Sequence, residues 1–232
     1  MKLIQRHGYI EFLRRNRERS IIKVVSGIRR CGKSTLFRLF KDELLAEGVK
    51  PEQIISINFE ELEYEPLREY HALYQYILNQ MQPNQMNYIF LDEIQHVDQF
   101  HRVVDSLFVK ENTDIYITGS NAYFMSSDIA TLLTGRYVEI QMLPLSFAEF
   151  YYSKYEEQQY SLIPAYEAYL RESSFPYTQQ LGGEDFDIQE YLRGLFNTLL
   201  LHDVVARLKI NDVMILQDIV RYIMANVGSL LS

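Results

Sequence analysis

Residues 27–34 form the segment whose residue types and spacing most directly indicate chemistry. They read Gly27-Ile28-Arg29-Arg30-Cys31-Gly32-Lys33-Ser34, a full match to the pattern G-x-x-x-x-G-K-[ST], and Thr35 follows. In such a loop the glycines let backbone N–H groups converge on phosphate oxygens, and the helix that follows adds partial positive charge. The lysine reaches the β- and γ-phosphates, and the serine hydroxyl binds Mg²⁺. Residues 27–35 are therefore predicted to bind a polyphosphate.

The segments on both sides of the loop predict the setting that it requires. Ile21-Ile22-Lys23-Val24-Val25 is a β-branched run that indicates a buried strand. Residues 35–45 place apolar side chains at helical spacing, and Gly48 supplies a helix stop. A strand, a glycine loop and a helix in this order favour phosphate binding over an accidental glycine turn.

Two adjacent acids, Asp92 and Glu93, follow the apolar run Tyr88-Ile89-Phe90-Leu91. The run predicts a strand buried on both faces, which would bring Asp92 to its carboxyl end beside the glycine loop. There Asp92 would hold Mg²⁺ together with the Ser34 hydroxyl. Glu93 would polarise a water that attacks the γ-phosphoryl group, and a helix N-terminal acid is its alternative role.

Three further polar residues are candidates for contacts with the γ-phosphate or its transition state. Ser120 and Asn121 follow the predicted strand 115–118, where they would bind phosphate or water, or serve as an ordinary turn or helix cap. Arg136 follows a glycine and could neutralise transition-state charge, in its own subunit or in a neighbour's site. A surface arginine that opens a strand is the alternative for Arg136.

Strand and helix patterns alternate along the first 150 residues and predict an α/β fold. Further strands are expected at 54–59, 88–91, 115–118 and 137–142, with helices between them. This order is typical of a parallel sheet flanked by helices, as in P-loop NTPases. We expect a P-loop domain at residues 1–152, followed by a smaller helical region at 153–232.

The composition narrows the cellular setting. A single cysteine in 232 residues excludes an internal disulfide and favours a reducing, cytoplasmic compartment. No stretch approaches the roughly 20 apolar residues of a membrane span, and no apolar run typical of a signal peptide follows the first charges. We therefore expect a cytoplasmic protein without a membrane partner.

The charge is distributed unevenly along the chain. The formal net charge is −8, yet residues 1–41 hold twelve of the 23 lysines and arginines and only two of the 31 acids. The glycine loop explains part of this excess, but it does not explain Arg14, Arg15, Arg17 and Arg19. These arginines indicate either a solvated helix end or a contact with an anionic partner such as DNA.

Several of these motifs together resemble the bacterial and archaeal AAA-type P-loop ATPases that carry a C-terminal domain of unknown function. The resemblance rests on Gly27 to Thr35, on Phe90-Leu91-Asp92-Glu93-Ile94-Gln95, on Thr118-Gly119-Ser120, on Gly135-Arg136 and on residues 143–150. The last of these, Leu-Pro-Leu-Ser-Phe-Ala-Glu-Phe, is the most specific to the group. The resemblance covers about the first 150 residues and implies a protein that binds ATP and depends on Mg²⁺.

The resemblance continues more weakly beyond this region. Phe175-Pro176 and the segment from Tyr191-Leu192 to His202-Asp203 are similar to the start of the family's second domain, although Ser173-Ser174 stands where the family usually has two glycines. Family members extend well past this point. The resemblance therefore implies a chain truncated within the second domain.

These observations predict a protein that binds ATP and Mg²⁺ and hydrolyses ATP to ADP. Adenine follows by elimination, because the chain lacks the N-K-x-D pattern that reads guanine, and Arg6 and Tyr9 are candidates to flank the base. A nucleotide-gated switch with little turnover is the main alternative, and a phosphotransferase would need an acceptor pocket for which no motif is present. A homo-oligomer and a DNA or protein partner remain open.

Overall fold

A computed structural model describes residues 4, 6–119, 133, 135–155, 160–181, 185–199 and 213–228. The predicted site residues Ser120 and Asn121 lie outside these described residues, as do residues 200–212 of the predicted helical region.

The centre of the fold is a five-stranded sheet in which every pair of neighbouring strands is parallel. The strands are β1 (Ile22–Gly27), β2 (Ile54–Asn58), β3 (Asn87–Asp92), β4 (Thr113–Gly119) and β5 (Tyr137–Met142). Their order across the sheet is β2-β3-β4-β1-β5. The predicted parallel α/β sheet is confirmed. The order adds that β4 lies between the strand that leads into the glycine loop and the strand that ends in Asp92.

Eight α-helices are assigned in the described part of the chain: α1 (His7–Asn16), α2 (Lys33–Ala46), α3 (Tyr70–Gln80), α4 (Phe100–Phe108), α5 (Phe147–Tyr155), α6 (Leu162–Glu172), α7 (Asp185–Leu199) and α8 (Val213–Ala225). Short 3₁₀ segments occur at Pro51–Gln53, Leu62–Arg68, Ile94–His96 and Pro176–Gln180. The segment 176–180 had no clear sequence signal, and it lines the cavity described below.

Helices cover both faces of the sheet because its central strands are apolar on both sides. Every residue of β1 and β3 is buried. Val24 belongs to a core cluster that includes side chains of α3 and α4, whereas its neighbour Val25 belongs to a second cluster with α1 and α2. Successive strand residues point to opposite faces, so the alternation matches a sheet packed between two helical layers. In the second cluster Phe90 and Tyr116 stack with ring centroids 4.7 Å apart.

Two arginines of the run near the N-terminus form ion pairs within the molecule. Arg14 donates to Glu43 with nitrogen–oxygen distances of 2.5 and 2.7 Å. Arg17 pairs with Glu47 and with Glu18, and its guanidinium also donates to a tyrosine hydroxyl. These contacts fasten the end of α1 to the end of α2. The solvated-helix-end interpretation therefore describes Arg14 and Arg17 better than a free basic surface does.

The chain divides into two compact units, residues 1–180 and 181–232. The first unit extends past the expected boundary at 152 because residues after 160 bond back to the segment after β5. Leu145 N–H donates to the Ser174 carbonyl at 2.7 Å, and the Tyr169 hydroxyl donates to the Leu145 carbonyl at 2.8 Å. The division into domains at 152 stays a prediction. Within the described residues, no helix has the length and apolarity that crossing a bilayer requires.

Candidate active site

The glycine loop leaves the carboxyl end of β1 and turns directly into α2. A Cβ atom on Gly27 would lie 2.4 Å from the carbonyl oxygen of Met142, so only glycine allows the backbone of β5 to approach this closely. Gly32 has φ +106°, and Arg30 has φ 67°, in the left-handed region that favours glycine. The loop therefore turns back on itself. Its second glycine, Gly32, is the last residue before the helix begins at Lys33.

The N-terminus of α2 is the anion-binding feature of the loop. The helix begins at Lys33, and its N-cap Gly32 has no side chain with which to cap the first turn. The first backbone N–H groups of a helix have no partner inside the helix, and the dipole makes this end partially positive. An uncapped helix start behind a glycine loop is suited to receive phosphate oxygens.

The Lys33 side chain lies across the loop and meets Glu93. Its Nζ atom is 3.0 Å from Glu93 Oε1 and donates to the Gly27 carbonyl at 3.1 Å. The two side chains are only 3% and 7% exposed. The structure thus brings the lysine of the loop and the second acid of the predicted pair into one buried ion pair.

Asp92 ends β3 next to this pair and is also buried. It accepts a hydrogen bond from the hydroxyl of Thr118, and the Ser34 hydroxyl interacts with the same carboxylate. Burial raises the pKa of Asp92 above its usual range, although both hydroxyls act in the opposite direction. A buried carboxylate beside a hydroxyl is a pair of hard oxygen donors, as Mg²⁺ prefers.

Glu93 is held in an uncommon conformation immediately after the strand. Its φ is 54°, in the left-handed region, and its backbone N–H donates to Thr118 Oγ1 at 2.9 Å. Its Oε2 atom accepts a hydrogen bond from Gln95 Nε2 at 2.5 Å. Burial acts to raise the pKa of Glu93, but Lys33, Gln95 and Arg29 together hold that pKa below its ordinary value. The carboxylate is therefore charged at neutral pH.

Thr118 is a site residue to which the sequence pattern assigned no role. Its single hydroxyl donates to Asp92 and accepts from the Glu93 backbone, so it fixes both acids. It can do so because β4 lies between β1 and β3. A hydroxyl at a strand end was visible in the sequence, but the strand order was not. The neighbouring candidates Ser120 and Asn121 are not described.

Arg136 is not brought to the phosphate loop of its own chain. It precedes Tyr137, which pairs with Ile22 at the start of β1, whereas the loop follows the end of that strand. Six residues of β1, or about 20 Å at ~3.3 Å per residue, separate the two ends. Its guanidinium lies 3.6 Å from Asp105 and over the ring of Phe108. A role within its own subunit is not supported, and a role in a neighbour's site stays a prediction.

Arg6 acts as an internal clamp rather than as a free group beside a base. Its guanidinium forms two hydrogen bonds with Glu149, of 2.8 and 2.9 Å, and donates to the carbonyls of Leu143 at 2.6 Å and Cys31 at 3.3 Å. It also lies over the ring of Tyr9, 4.4 Å from the centroid. The clamp joins the glycine loop to the segment after β5, and the hydrogen-bonding groups of the guanidinium are already engaged within the protein. That Arg6 flanks the base stays a prediction.

Cys31 lies inside the loop but is not an activated thiol. The side chain is fully buried. Burial raises the pKa of the thiol, although Lys33 and Arg6 act to lower it. We conclude that Cys31 is a small residue that fits a crowded turn.

A cavity of about 460 Å³ adjoins the loop on the side of Gly32 and Thr35. Its walls come from α2, from the segment after β5 and from residues 176–180, and they are mainly apolar: Ile4, Leu36, Leu39, Met142, Leu145 and Pro176. The volume lies within the range of small-molecule sites, about 300–1,000 Å³. Sequence reasoning missed this cavity because its walls are distant from one another along the chain.

Comparisons with known proteins agree with this geometry. A family model described as an AAA domain matches residues 19–151. An uncharacterised protein of Haemophilus influenzae is 37% identical over 233 residues, which cover 99% of this chain and 58% of that relative. A Walker-type ATPase of Pyrococcus abyssi is 16% identical with a TM-score of 0.54, over 86% of this chain and 74% of that one.

A second solved structure, the replication initiator DnaA bound to AMPPCP and single-stranded DNA, has a TM-score of 0.53 and 12% identity, over 88% of this chain and 71% of that one. At such low identities these two structures bear on the fold alone. The chain spans about half the length of the curated relatives it matches.

Proposed function

Because the chain belongs to the AAA domain family, we propose that it binds ATP with Mg²⁺ and hydrolyses it to ADP and phosphate. One observation carries the proposal: Lys33, Asp92, Glu93 and Thr118 meet beside the uncapped start of α2. An ion pair of buried acid and lysine occurs in many structural cores. Here it lies beside a phosphate loop and a second buried acid, which a structural role does not require.

The binding step uses the loop and the two metal-ligand candidates. The first N–H groups of α2 and the Lys33 ammonium hold the phosphates, while Thr35 lines the neighbouring cavity. Ser34 and Asp92 would hold Mg²⁺, and the remaining positions of its octahedron belong to phosphate and water. When bound, the ion neutralises charge on the phosphoryl oxygens.

The chemical step is assigned to Glu93. Its depressed pKa keeps it unprotonated at neutral pH, as a base that accepts a proton from the attacking water must be. Lys33 occupies one of its oxygens, and phosphate oxygens would compete for that lysine. Binding of the triphosphate would thereby free a carboxylate oxygen for water. Thr118 and Gln95 keep the side chain in place.

Steady-state phosphate release by the protein, with Mg²⁺ and ATP, tests the proposal. Lys33→Ala should lose most of the activity, because the lysine contributes charge at the β- and γ-phosphates. Lys50→Ala, at an exposed position after α2, is the matched control and should retain full activity. Equal activity of the two variants would overturn the assignment.

A nucleotide-gated switch with little turnover is the alternative within the same site. The buried Lys33–Glu93 pair favours this version if the pair persists when ATP is bound. Single-turnover measurements distinguish the two. Tight ATP binding with no phosphate release over hours would support the switch, and release with repeated turnover would support the ATPase.

We extend the proposal to a homo-oligomer in which Arg136 reaches a neighbour's phosphates. Arg136 is about half exposed and lies on a surface away from its own loop. Activity per subunit should then rise with protein concentration, and Arg136→Ala should abolish the rise. Flat activity across dilution would remove Arg136 from the catalytic group.

We propose that hydrolysis is coupled to a macromolecular partner in a cytoplasmic setting. The replication initiator DnaA of similar fold is bound to single-stranded DNA, which makes DNA one candidate and a protein another. Arg15 and Arg19 are the arginines of the N-terminal run to test, since Arg14 and Arg17 are paired internally. Fluorescence anisotropy at low salt would detect DNA binding, and its absence would leave a protein partner.

A further inference from the structure

A second cavity, of about 410 Å³, adjoins the two metal-ligand candidates. Ser34 and Asp92 belong to its wall, and the rest of the wall comes from α2, from β2 and from the segment that follows β2. The cavity described above is lined mainly by apolar side chains, whereas most side chains around this one are polar or charged. A product that leaves the phosphate loop past Ser34 therefore has a polar space to enter.

Two cations of α2, Arg38 and Lys41, line this second cavity. They are three positions apart, so they lie on the same side of the helix. The Lys41 Nζ atom donates to the Ser56 hydroxyl at 2.7 Å. Within the described part of the chain, neither cation forms a salt bridge, and the Arg38 side chain makes no hydrogen bond. Two positive charges thus line one cavity without a carboxylate in direct contact.

The net charge of this cavity depends on whether the metal site is filled. Its wall contains two carboxylates, Glu61 and Asp92, in addition to the two cations. Burial lowers the pKa of Lys41 and Arg38 adds to that effect, while Asp92 and Glu61 act to raise the pKa. Asp92 is the proposed ligand of Mg²⁺, so in the loaded site its charge is no longer available to Lys41. The cavity is then positive overall, which favours an anion.

We propose that this cavity binds the inorganic phosphate produced by hydrolysis, through the ammonium of Lys41 and the guanidinium of Arg38. The inference rests on the proposed function, because it assigns a position to one product of that reaction. Both cations form strong, charge-assisted hydrogen bonds with phosphate oxygens. The Ser56 hydroxyl accepts a hydrogen bond from Lys41 and retains its own proton to donate to the same anion.

Distance along α2 separates this product site from the site of the γ-phosphate. A phosphate held by the first N–H groups of the helix lies near Ser34. Arg38 is four residues farther along the helix and Lys41 is seven, which corresponds to about 6 and 10 Å at ~1.5 Å per residue. A γ-phosphoryl group that is still bonded to ADP is held at the helix start, whereas free phosphate can move toward the two cations. The two positions would therefore be occupied in succession.

The test measures, by calorimetry, the binding of inorganic phosphate to the protein saturated with Mg-ADP. Lys41→Ala should weaken phosphate binding about 10- to 100-fold, the range of one hydrogen bond to a charged group, and leave the affinity for Mg-ADP unchanged. Arg38→Ala should change phosphate binding in the same direction. Lys50→Ala removes the same charge from an exposed position after α2, so it is the matched control and should change neither affinity. Unchanged melting of the nucleotide-free variants would show that the fold is intact.

A variant expected to act in the opposite direction distinguishes a phosphate contact from a merely structural role. Glu61→Gln removes a negative charge from the wall of the same cavity but keeps the side-chain shape. Phosphate should then bind about 2- to 5-fold more tightly, the range of an exposed charge interaction. Glu65→Gln, at an exposed position of the same segment, is the matched control and should change nothing. Weaker phosphate binding in both Lys41→Ala and Glu61→Gln would indicate a structural role and overturn the inference.

The outcomes distinguish this inference from the function on which it rests. If the unaltered protein binds neither Mg-ATP nor Mg-ADP, the nucleotide site itself is wrong. If it binds Mg-ADP but not phosphate, or if Lys41→Ala and Arg38→Ala bind phosphate as well as the unaltered protein does, the product site alone is overturned.

Discussion

Two buried lysine–carboxylate pairs lie near opposite ends of the sheet, and their difference separates scaffold from site. Lys23, near the start of β1, pairs with Asp114 of β4, and both side chains are fully buried. Lys33, in the loop after β1, pairs with Glu93 after β3, and both are nearly as buried. The chemistry of the two pairs is the same. What differs is the backbone on which each pair is built and the groups that lie beside it.

The Lys23–Asp114 pair is enclosed by donors and acceptors of its own neighbourhood. Lys23 also donates to the Arg19 carbonyl at 3.0 Å. Asp114 accepts from the Glu18 backbone N–H at 2.8 Å and from the Tyr116 hydroxyl at 2.7 Å. Burial lowers the pKa of Lys23, while Asp114 acts to raise it. A pair with these contacts stabilises one arrangement of the strands.

The Lys33–Glu93 pair is built on backbone that is bent rather than extended. Glu93 and Arg30 both have positive φ, and the pair lies between the start of α2 and the second acid, Asp92. Residues held in sparsely populated conformations cost of order 1–3 kcal/mol each and cluster at functional sites. Burial of charge is therefore a poor guide to function by itself. The local backbone and the neighbouring groups distinguish the two pairs.

The largest expected effect is on the chemical step. Glu93→Gln keeps the shape of the side chain and its contact with Lys33 but removes the base, so turnover should fall by about 10²- to 10⁴-fold. The affinity for Mg-ATP should stay within a few fold, as measured by calorimetry. Unimpaired turnover would return Glu93 to the role of a structural partner like Asp114.

The next effect is on stability and involves the other pair. Asp114→Ala leaves the Lys23 ammonium buried without its counter-ion, which should cost about 3–5 kcal/mol and lower the melting temperature by about 6–20 °C. Glu11→Ala is the control, since its 3.6 Å contact with Arg14 is exposed, and exposed pairs contribute about 0–1 kcal/mol. Similar melting of both variants would show that Lys23–Asp114 is not the scaffold pair.

A third measurement tests which of the two ion pairs contributes to stabilisation of the protein by nucleotide. At 100 times its Kd, Mg-ATP should stabilise the folded protein by about 2.7 kcal/mol, a rise in melting temperature of about 5–11 °C. Lys33→Ala should lose most of this rise, because we propose that its ammonium contacts the phosphates. Asp114→Ala should melt earlier but retain the rise. An equal rise in Lys33→Ala and the unaltered protein would contradict the phosphate assignment.

The smallest effect concerns the pH dependence of stability at Asp92. Its folded-state pKa is raised by burial above an ordinary value of 3.8, so its charge lowers stability at neutral pH. Each unit of raised pKa costs about 1.4 kcal/mol. Asp92→Asn should therefore raise the melting temperature of the nucleotide-free protein at pH 7. The difference should shrink as the pH falls through the raised pKa and vanish below about pH 4, where both states are protonated.

A matched comparison sharpens this last result. Asp92→Asn should also remove the Mg²⁺-dependent part of ATP binding, because an amide is a weaker ligand than a carboxylate for a hard cation. A stabilised variant with unchanged Mg²⁺ dependence would place the ion elsewhere. A variant destabilised at pH 7 would show that the hydrogen bond from Thr118 outweighs the cost of burying the charge.

Much of the fold follows from local pattern. The β-branched run at 21–25 and the apolar run at 88–91 predict central strands, because the strands of a parallel sheet are buried on both faces. The glycine loop between a strand and a helix predicts a phosphate site, and the structure does place Lys33 beside Asp92, which ends β3, and Glu93, which follows it. The strands and the glycine loop each extend over a few residues. They can therefore be predicted from local residue types and spacing alone.

Other features depend on which distant segments meet. Thr118 acts on both acids because β4 is inserted between β1 and β3, and Arg136 is remote from its own loop because β5 starts at the opposite end of β1. Arg6, Arg14 and Arg17 each form an ion pair with an acid that lies 29 to 143 positions away in the sequence. A charged residue in the sequence indicates that an oppositely charged or hydrogen-bonding partner is needed. Which residue becomes that partner depends on the tertiary structure.

The sequence by itself thus determined the parallel sheet, the loop and the pair of acids, because hydrophobic periodicity and glycine geometry are local properties of the chain. Only the tertiary structure decided the strand order, the clamp of Arg6 on Glu149 and the cavity that Gln179 lines. Hydrogen bonds and cavity walls act over a few ångströms in space. They therefore depend on contacts between segments that lie far apart in the chain.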